Sequence, residues 1–230
     1  MLLVEDHAAL RRFVQLALEP LELQLSEAES LRAAEGWVDR HGVPELLLTD
    51  LMLPDGSGLD LVRGLRASGH GPARLPVIVM SAAVQPLERE SLSALSVARV
   101  LVKPVAVSEL LEAVASVLAP ALTAGATAAS ALDPAVEYFG GDRALQDAFR
   151  ASSLQQLPAD IEAGDVALAR GDLQTLRRVA HSLKSVLALL GDAQGKSLAT
   201  HVELSSAAGI SAESEWRLLR LRLLELVGCP

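Results

Sequence analysis

Four apolar runs in this chain each end on polar side chains that could handle a phosphoryl group. Leu2, Leu3 and Val4 lead into Glu5 and Asp6; Leu46, Leu47 and Leu48 lead towards Asp50; Val77, Ile78 and Val79 lead towards Ser81; Val100, Leu101 and Val102 lead into Lys103. If the runs are strands of one parallel sheet, their carboxyl ends share the crevice where such sheets hold ligands. Three carboxylates gathered there raise one another's pKa unless a cation intervenes. Hard oxygen donors favour Mg2+, which keeps several waters and an open position for phosphate. One carboxylate then serves as nucleophile, the metal and Lys103 neutralise the transferring oxygens, and the Ser81 hydroxyl hydrogen-bonds the arriving group. A second feature stands far along the chain, where His181 heads His-Ser-Leu-Lys-Ser. An imidazole with a reference pKa of about 6.5 is substantially neutral at physiological pH, so one ring nitrogen has a lone pair for in-line attack on phosphorus. Lys184 can stabilise the charge it gains.

Positioning these groups needs two different scaffolds. Up to about residue 118, apolar runs alternate with helix-like stretches at 8–18, 29–40, 58–68, 86–95 and 107–118, the rhythm of a parallel sheet covered on both faces. That predicts five strands and five helices. Residues 119–131 offer small residues, Pro120 and no charge through Ser130, the composition of a flexible Ala-rich linker. From 132 to 230 strand signals stop. Helical stretches are expected at 142–155, 158–170, 172–190, 193–206 and 212–227, divided at Pro158, Gly171-Asp172, Gly191 and Gly209. Leu173, Leu176, Ala180, Leu183, Leu187 and Leu190 recur at three and four residues and mark the face towards a bundle core. His181 lies one step off that stripe, between Arg177 and Lys184, so the pattern predicts an accessible imidazole flanked by cations.

The acidic pair Glu5-Asp6, Asp50 in Thr-Asp-Leu-Met-Leu-Pro-Asp-Gly, Ser81 in Val-Met-Ser-Ala and Lys103-Pro104 in Val-Leu-Val-Lys-Pro agree in identity, order and spacing with one family. Residues 1–118 resemble a response-regulator receiver domain, which implies an α/β flavodoxin-like fold. The resemblance implies Asp50 as phosphoacceptor and Mg2+ held by Asp6, Asp50 and the backbone carbonyl of Met52. It also implies that Glu5 assists directly or through water, and that Lys103 touches the phosphoryl group across a Lys103-Pro104 bond often cis in that family. Val100 stands where the family commonly has Tyr or Phe, which argues against aromatic switching there. Ala180 to Gly191 resembles the signature of histidine-containing phosphotransfer (HPt) domains, implying an all-α four-helix bundle over 132–230 with His181 as phosphoacceptor and donor. Ser185 stands where that family usually has Gly.

Together the two resemblances imply a phosphorelay intermediate with a histidine kinase upstream and a receiver or response regulator downstream. His181 is followed by Ser182 rather than by the acidic residue usual in kinase dimerisation helices, and no ATP-binding domain is recognisable, so self-phosphorylation from ATP is not expected. The same residues leave a second reading open, a docking module that works without phosphorylation. A small-molecule phosphatase fits less well, because position 52 is Met where a second aspartate is usual. Asp55, Asp60 and His7 read as turn, helix-start and loop residues, and His201 as a surface or interhelical residue.

Composition narrows the classes further. With 230 residues and a net charge of −9, the chain has room for two cores but no clustered basic surface for nucleic acid. No apolar run reaches the eighteen or so residues of a membrane span, so no membrane contact is expected from this segment. One cysteine, Cys229, fits a reducing compartment, and cytoplasm is the expected location. Only Met1 precedes the first strand, and the chain is expected to be a fragment of a longer hybrid protein, such as the cytoplasmic C-terminal part of a membrane hybrid sensor kinase.

Overall fold

Leu2–Val4 (β1), Leu47–Asp50 (β3) and Val77–Ser81 (β6) are buried along their whole length, which is why each opens as an apolar run, with Thr49 and Asp50 closing β3 and Ser81 closing β6. With Ser26–Ala28 (β2) and Arg99–Val102 (β7) they form a five-stranded sheet in the order β2-β1-β3-β6-β7, every pairing parallel. This is the flavodoxin-like order. A two-stranded antiparallel hairpin, Met52–Leu53 (β4) with Gly56–Ser57 (β5), follows β3 directly. The computed structural model describes residues 1–67, 75–82, 92–118 and 134–228. These fall into two units, the first taking in Tyr138–Gly140 as well as the N-terminal residues.

Helices Ala8–Leu18 (α1), Leu31–His41 (α2), Gly58–Ala67 (α3) and Val107–Leu118 (α4) belong to the first unit. In α1, Leu10, Phe13, Val14 and Ala17 are buried at intervals of three and four, so one stripe faces the sheet. Of the helix expected at 86–95, residues 92–94 are helical and 86–91 lie outside the described residues. The expected linker at 119–131 also lies outside them. Phe139, which the sequence places in the second domain, packs edge-on against Phe13 in the first unit, ring centroids 5.7 Å apart.

The second unit is helical: a short turn, Pro134–Glu137 (α5), and four long helices, Arg143–Arg170 (α6), Leu173–Leu189 (α7), Ala193–Ala207 (α8) and Glu213–Val227 (α9). Three of the four long helices start from a Gly-Asp pair. Gly141, Gly171 and Gly191 adopt positive φ. Asp142, Asp172 and Asp192 then accept from the backbone N–H three residues on. The break expected at Pro158 is absent, and α6 runs through it. An interior proline costs about 3 kcal/mol, but Phe149, Ser153, Leu157 and Ile161 are buried on both sides of it. Packing of both halves against the bundle offsets the lost backbone bond.

Candidate functional site

In the first unit, β1 and β3 end side by side, and their last residues turn towards one another. One carboxylate oxygen each from Glu5, Asp6 and Asp50 lies within 4.8 Å of the others. Arg11, one turn into α1, fixes the acidic pair from behind, donating from its guanidinium to the carbonyls of Glu5 and Asp6, both at 2.7 Å. Across the crevice the Lys103 ammonium donates to Glu5 Oε2 and to Asp50 Oδ2, both at 2.6 Å. Asp50 Oδ1 accepts the Met52 N–H at 3.2 Å, and Glu5 Oε1 accepts the His7 N–H at 3.2 Å. Ser81 is buried at the end of β6, its Cα in register with Val102. The Lys103-Pro104 peptide is cis.

Burial sets the electrostatics. It lifts the Glu5 carboxyl above its ordinary range; Lys103 pulls it back, while the charges of Asp50 and Asp6 add to the rise. Burial works to lower the Lys103 ammonium, but Asp50 and Glu5 outweigh it and hold it above its ordinary value. Lys103 is therefore a permanent cation against Asp50. Three carboxylates with only oxygen to offer suit a hard divalent ion.

Gly58 lets this crevice close. At the start of α3, a Cβ on it would stand 2.1 Å from the Asp50 carbonyl and 2.6 Å from Thr49 Oγ1, so only glycine brings that helix against the end of β3. Of the acids set apart as structural, Asp60 accepts from Ser57 N–H at 3.2 Å and pairs with Arg63 at 2.6 Å. Asp55 accepts the Leu31 and Arg32 N–H groups at 2.8 and 3.0 Å. It caps α2 from a distant loop, which the local Asp55-Gly56 turn signal does not reveal.

In the second unit the structure corrects the expectation for His181, which is 6% exposed. The face of α7 adjoining the apolar stripe is interior too, because α8 packs along it. From α8, Glu203 reaches across. Its Oε1 lies 2.8 Å from His181 Nδ1, and its Oε2 accepts from the Lys184 ammonium. Burial pushes the Glu203 carboxyl up, but the bonds from His181 and Lys184 prevail and bring it down to about 2. An ionised carboxylate only accepts, so His181 Nδ1 carries a proton, and in the neutral ring the lone pair stands on Nε2. Nε2 itself is buried and has no partner among the described residues.

Lys184 is thus already paired, and Arg177 lies four residues before His181 with a buried, partnerless Nε. Ser185, four residues after it, is buried. His201 is exposed. Sequence reasoning missed Glu203 because it stands 22 residues from His181 on another helix, with no local pattern to announce it. Arg11 was legible in principle, as a cation one turn after the acidic pair.

Comparison with known proteins separates the same two regions. Residues 1–115 match the Response regulator receiver domain family, and residues 148–227 match the Hpt domain family. The KDP operon transcriptional regulatory protein KdpE of Escherichia coli is 42% identical over 82 residues, 35% of this chain and 34% of that protein. The sensory/regulatory protein RpfC of Xanthomonas campestris pv. campestris is 30% identical over 239 residues, 95% of this chain and 32% of that protein. The chain therefore spans about a third of the length of these relatives. A solved response regulator receiver protein from Pseudomonas putida superposes with a TM-score of 0.45 at 34% identity, covering 49% of this chain and 92% of that one. No helix among the described residues is long and apolar enough to cross a membrane.

Proposed function

This chain belongs to the response regulator receiver family and carries an Hpt domain behind the receiver, and we propose that it is a phosphorelay intermediate taking a phosphoryl group on Asp50 and exchanging phosphoryl between His181 and receiver aspartates. The observation that carries this is the pairing of two chemistries on one chain: a carboxylate held against a buried cation, and an imidazole whose attacking nitrogen is fixed by a carboxylate.

At the first site the Asp50 carboxylate attacks phosphorus as the bond to the donor's leaving atom breaks, and the leaving atom keeps the electron pair. Lys103 already stands at Asp50 Oδ2, so no charge has to be moved to meet the incoming oxygens, and the Ser81 hydroxyl donates to one of them. Glu5, Asp6, Asp50 and the Met52 carbonyl would hold Mg2+, which supplies positive charge opposite the transferring oxygens. At the second site His181 Nε2 forms the N–P bond while the acyl-phosphate P–O bond breaks and the pair returns to the aspartate. Nε2 has no proton to lose. The ring becomes cationic with its proton on Nδ1, facing the Glu203 carboxylate that offsets the charge.

A kinase histidine is the proposed donor to Asp50, and receivers are the proposed partners of His181. The transfers on this chain do not themselves use ATP, and the expected location is the cytoplasm. The test is phosphoryl incorporation from acetyl phosphate, with and without Mg2+, in wild type, Asp50→Asn and His181→Gln. The reading predicts a Mg2+-dependent, alkali-labile label lost in Asp50→Asn and an acid-labile label lost in His181→Gln. A label that survives both substitutions overturns the assignment, and a complete lack of label at Asp50 with any donor leaves a docking module instead.

A further inference from the structure

Arg177, His181 and Ser185 follow one another on α7 at four-residue intervals, and each leaves one side-chain atom, Nε, Nε2 and Oγ, buried without a hydrogen-bond partner. Among the described residues of that helix no other does so. Spacing by four places the three on one face, with neighbouring Cβ atoms about 5–6 Å apart. Buried polar atoms without partners are costly and uncommon, and here two of them belong to the residues one turn before and one turn after His181, whose Nε2 carries the lone pair. A helical serine commonly returns its hydroxyl proton to the carbonyl four residues back; Ser185, only 2% exposed, has no such bond. Helical side chains lean towards the N-terminus, so Ser185 leans back towards the turn of His181. Arg177 has no ion pair among the described residues, whereas Lys184 is held by Glu203.

We propose that Arg177 and Ser185 form the seat of the phosphoryl group on His181, with Arg177 rather than Lys184 as its cation. The inference rests on reading His181 as a phosphoacceptor. When Nε2 bonds phosphorus and the donor's leaving atom departs with its electron pair, three phosphoryl oxygens enter a place where a guanidinium donor and a hydroxyl donor have no other acceptor. The Nδ1 proton stays against Glu203. The two charges of the product are thus met on opposite sides of the ring: the cationic ring by Glu203, the anionic oxygens by Arg177 and Ser185.

The test uses the full chain with Asp50→Asn, so that His181 is the expected site of label, and phosphoramidate as donor, with ammonia leaving. Labelling rate and the 31P resonance of the product are read together, with Trp216 fluorescence in a Trp37→Phe background to show that the bundle is folded. Arg177→Gln and Ser185→Ala are each expected to slow labelling about tenfold and to move the resonance, with Arg177→Lys restoring the rate to within about threefold. Lys184→Gln is expected to slow it less than Arg177→Gln does. Ser185→Ala, a smaller side chain in the same place, decides the matter if Arg177→Gln fails to fold. Either variant matching the Asp50→Asn chain in rate and resonance removes its residue from the seat, and both matching it overturns the seat while His181 stands. A parent chain that takes no label overturns the seat and the reading of His181 together.

Discussion

Replacing Glu203 by Gln keeps the length and shape of the side chain, removes its charge and turns one of the two oxygens that accept from His181 and Lys184 into an NH2 donor. The carboxyl titrates at about 2 instead of an ordinary 4.5, which corresponds to about 3 kcal/mol between its two protonation states. Lys184 remains 18% exposed in the pair, so solvent screening reduces the contribution to stability to about 1–2 kcal/mol. A group whose folded value is depressed stabilises the fold fully above its unfolded value and stops doing so as pH falls through the folded one. The stability gap between wild type and Glu203→Gln should therefore be widest near neutrality and close between about pH 4.5 and pH 2. Urea unfolding followed by Trp216 fluorescence, in a Trp37→Phe background so that one indole reports, measures it.

The same substitution tests the chemistry. With a neutral amide at position 203, the cationic ring that the proposed phosphorylation would form loses the carboxylate 2.8 Å from Nδ1. A charge-assisted bond of about 1.5–3 kcal/mol then drops out of the product and of the transition state leading to it. Transfer to His181 should slow by about ten- to hundredfold. A stability gap that is the same at acid and neutral pH, or a transfer rate equal to wild type, would refute the argument that Glu203 acts as a charge facing the imidazole.

Three further outcomes follow from named contacts. Gly164→Ala sets a Cβ 2.0 Å from Cζ2 and Cη2 of Trp216, so α6 and α9 must separate; a loss of about 1–3 kcal/mol is expected in thermal melts followed by Trp216 fluorescence. Asp55→Ala removes the acceptor of the Leu31 and Arg32 N–H groups and should cost about 0.5–2 kcal/mol, read by urea unfolding of the first unit. The backbone bonds hold the Asp55 carboxyl below its ordinary range against a burial effect that raises it, so this cost is present at neutral pH and fades in acid as the carboxylate protonates. Diethyl pyrocarbonate should modify the exposed His41 and His201 well before His181, which is 6% exposed; peptide mapping that finds His181 modified first would contradict its burial.

The strand ends were legible because a parallel strand announces its own limit. An apolar run stops where the sheet meets solvent, and the side chain after it faces the crevice, so Glu5, Asp6, Asp50, Ser81 and Lys103 could be assigned to one mouth without knowing any contact. The helical unit was legible only in outline, because periodicity tells which face of a helix is apolar and not how many neighbours surround it. His181 stands one residue off the stripe of α7, and on a helix with one packed face it would be open to solvent. Packing of α8 along the adjoining face makes that position interior. Pro158 failed as a boundary for a related reason: the burial that keeps α6 continuous is supplied by other helices. The consequence for the chemistry is specific. In the first unit the charges around Asp50 come from strand ends that the sequence pattern already brings together, whereas the His181 nitrogen that keeps the lone pair, the one proposed to attack, is selected by Glu203 from another helix. Substitutions on the buried side of α8 that leave the His181 motif intact should therefore alter its reactivity, and the motif alone should not predict the rate of transfer.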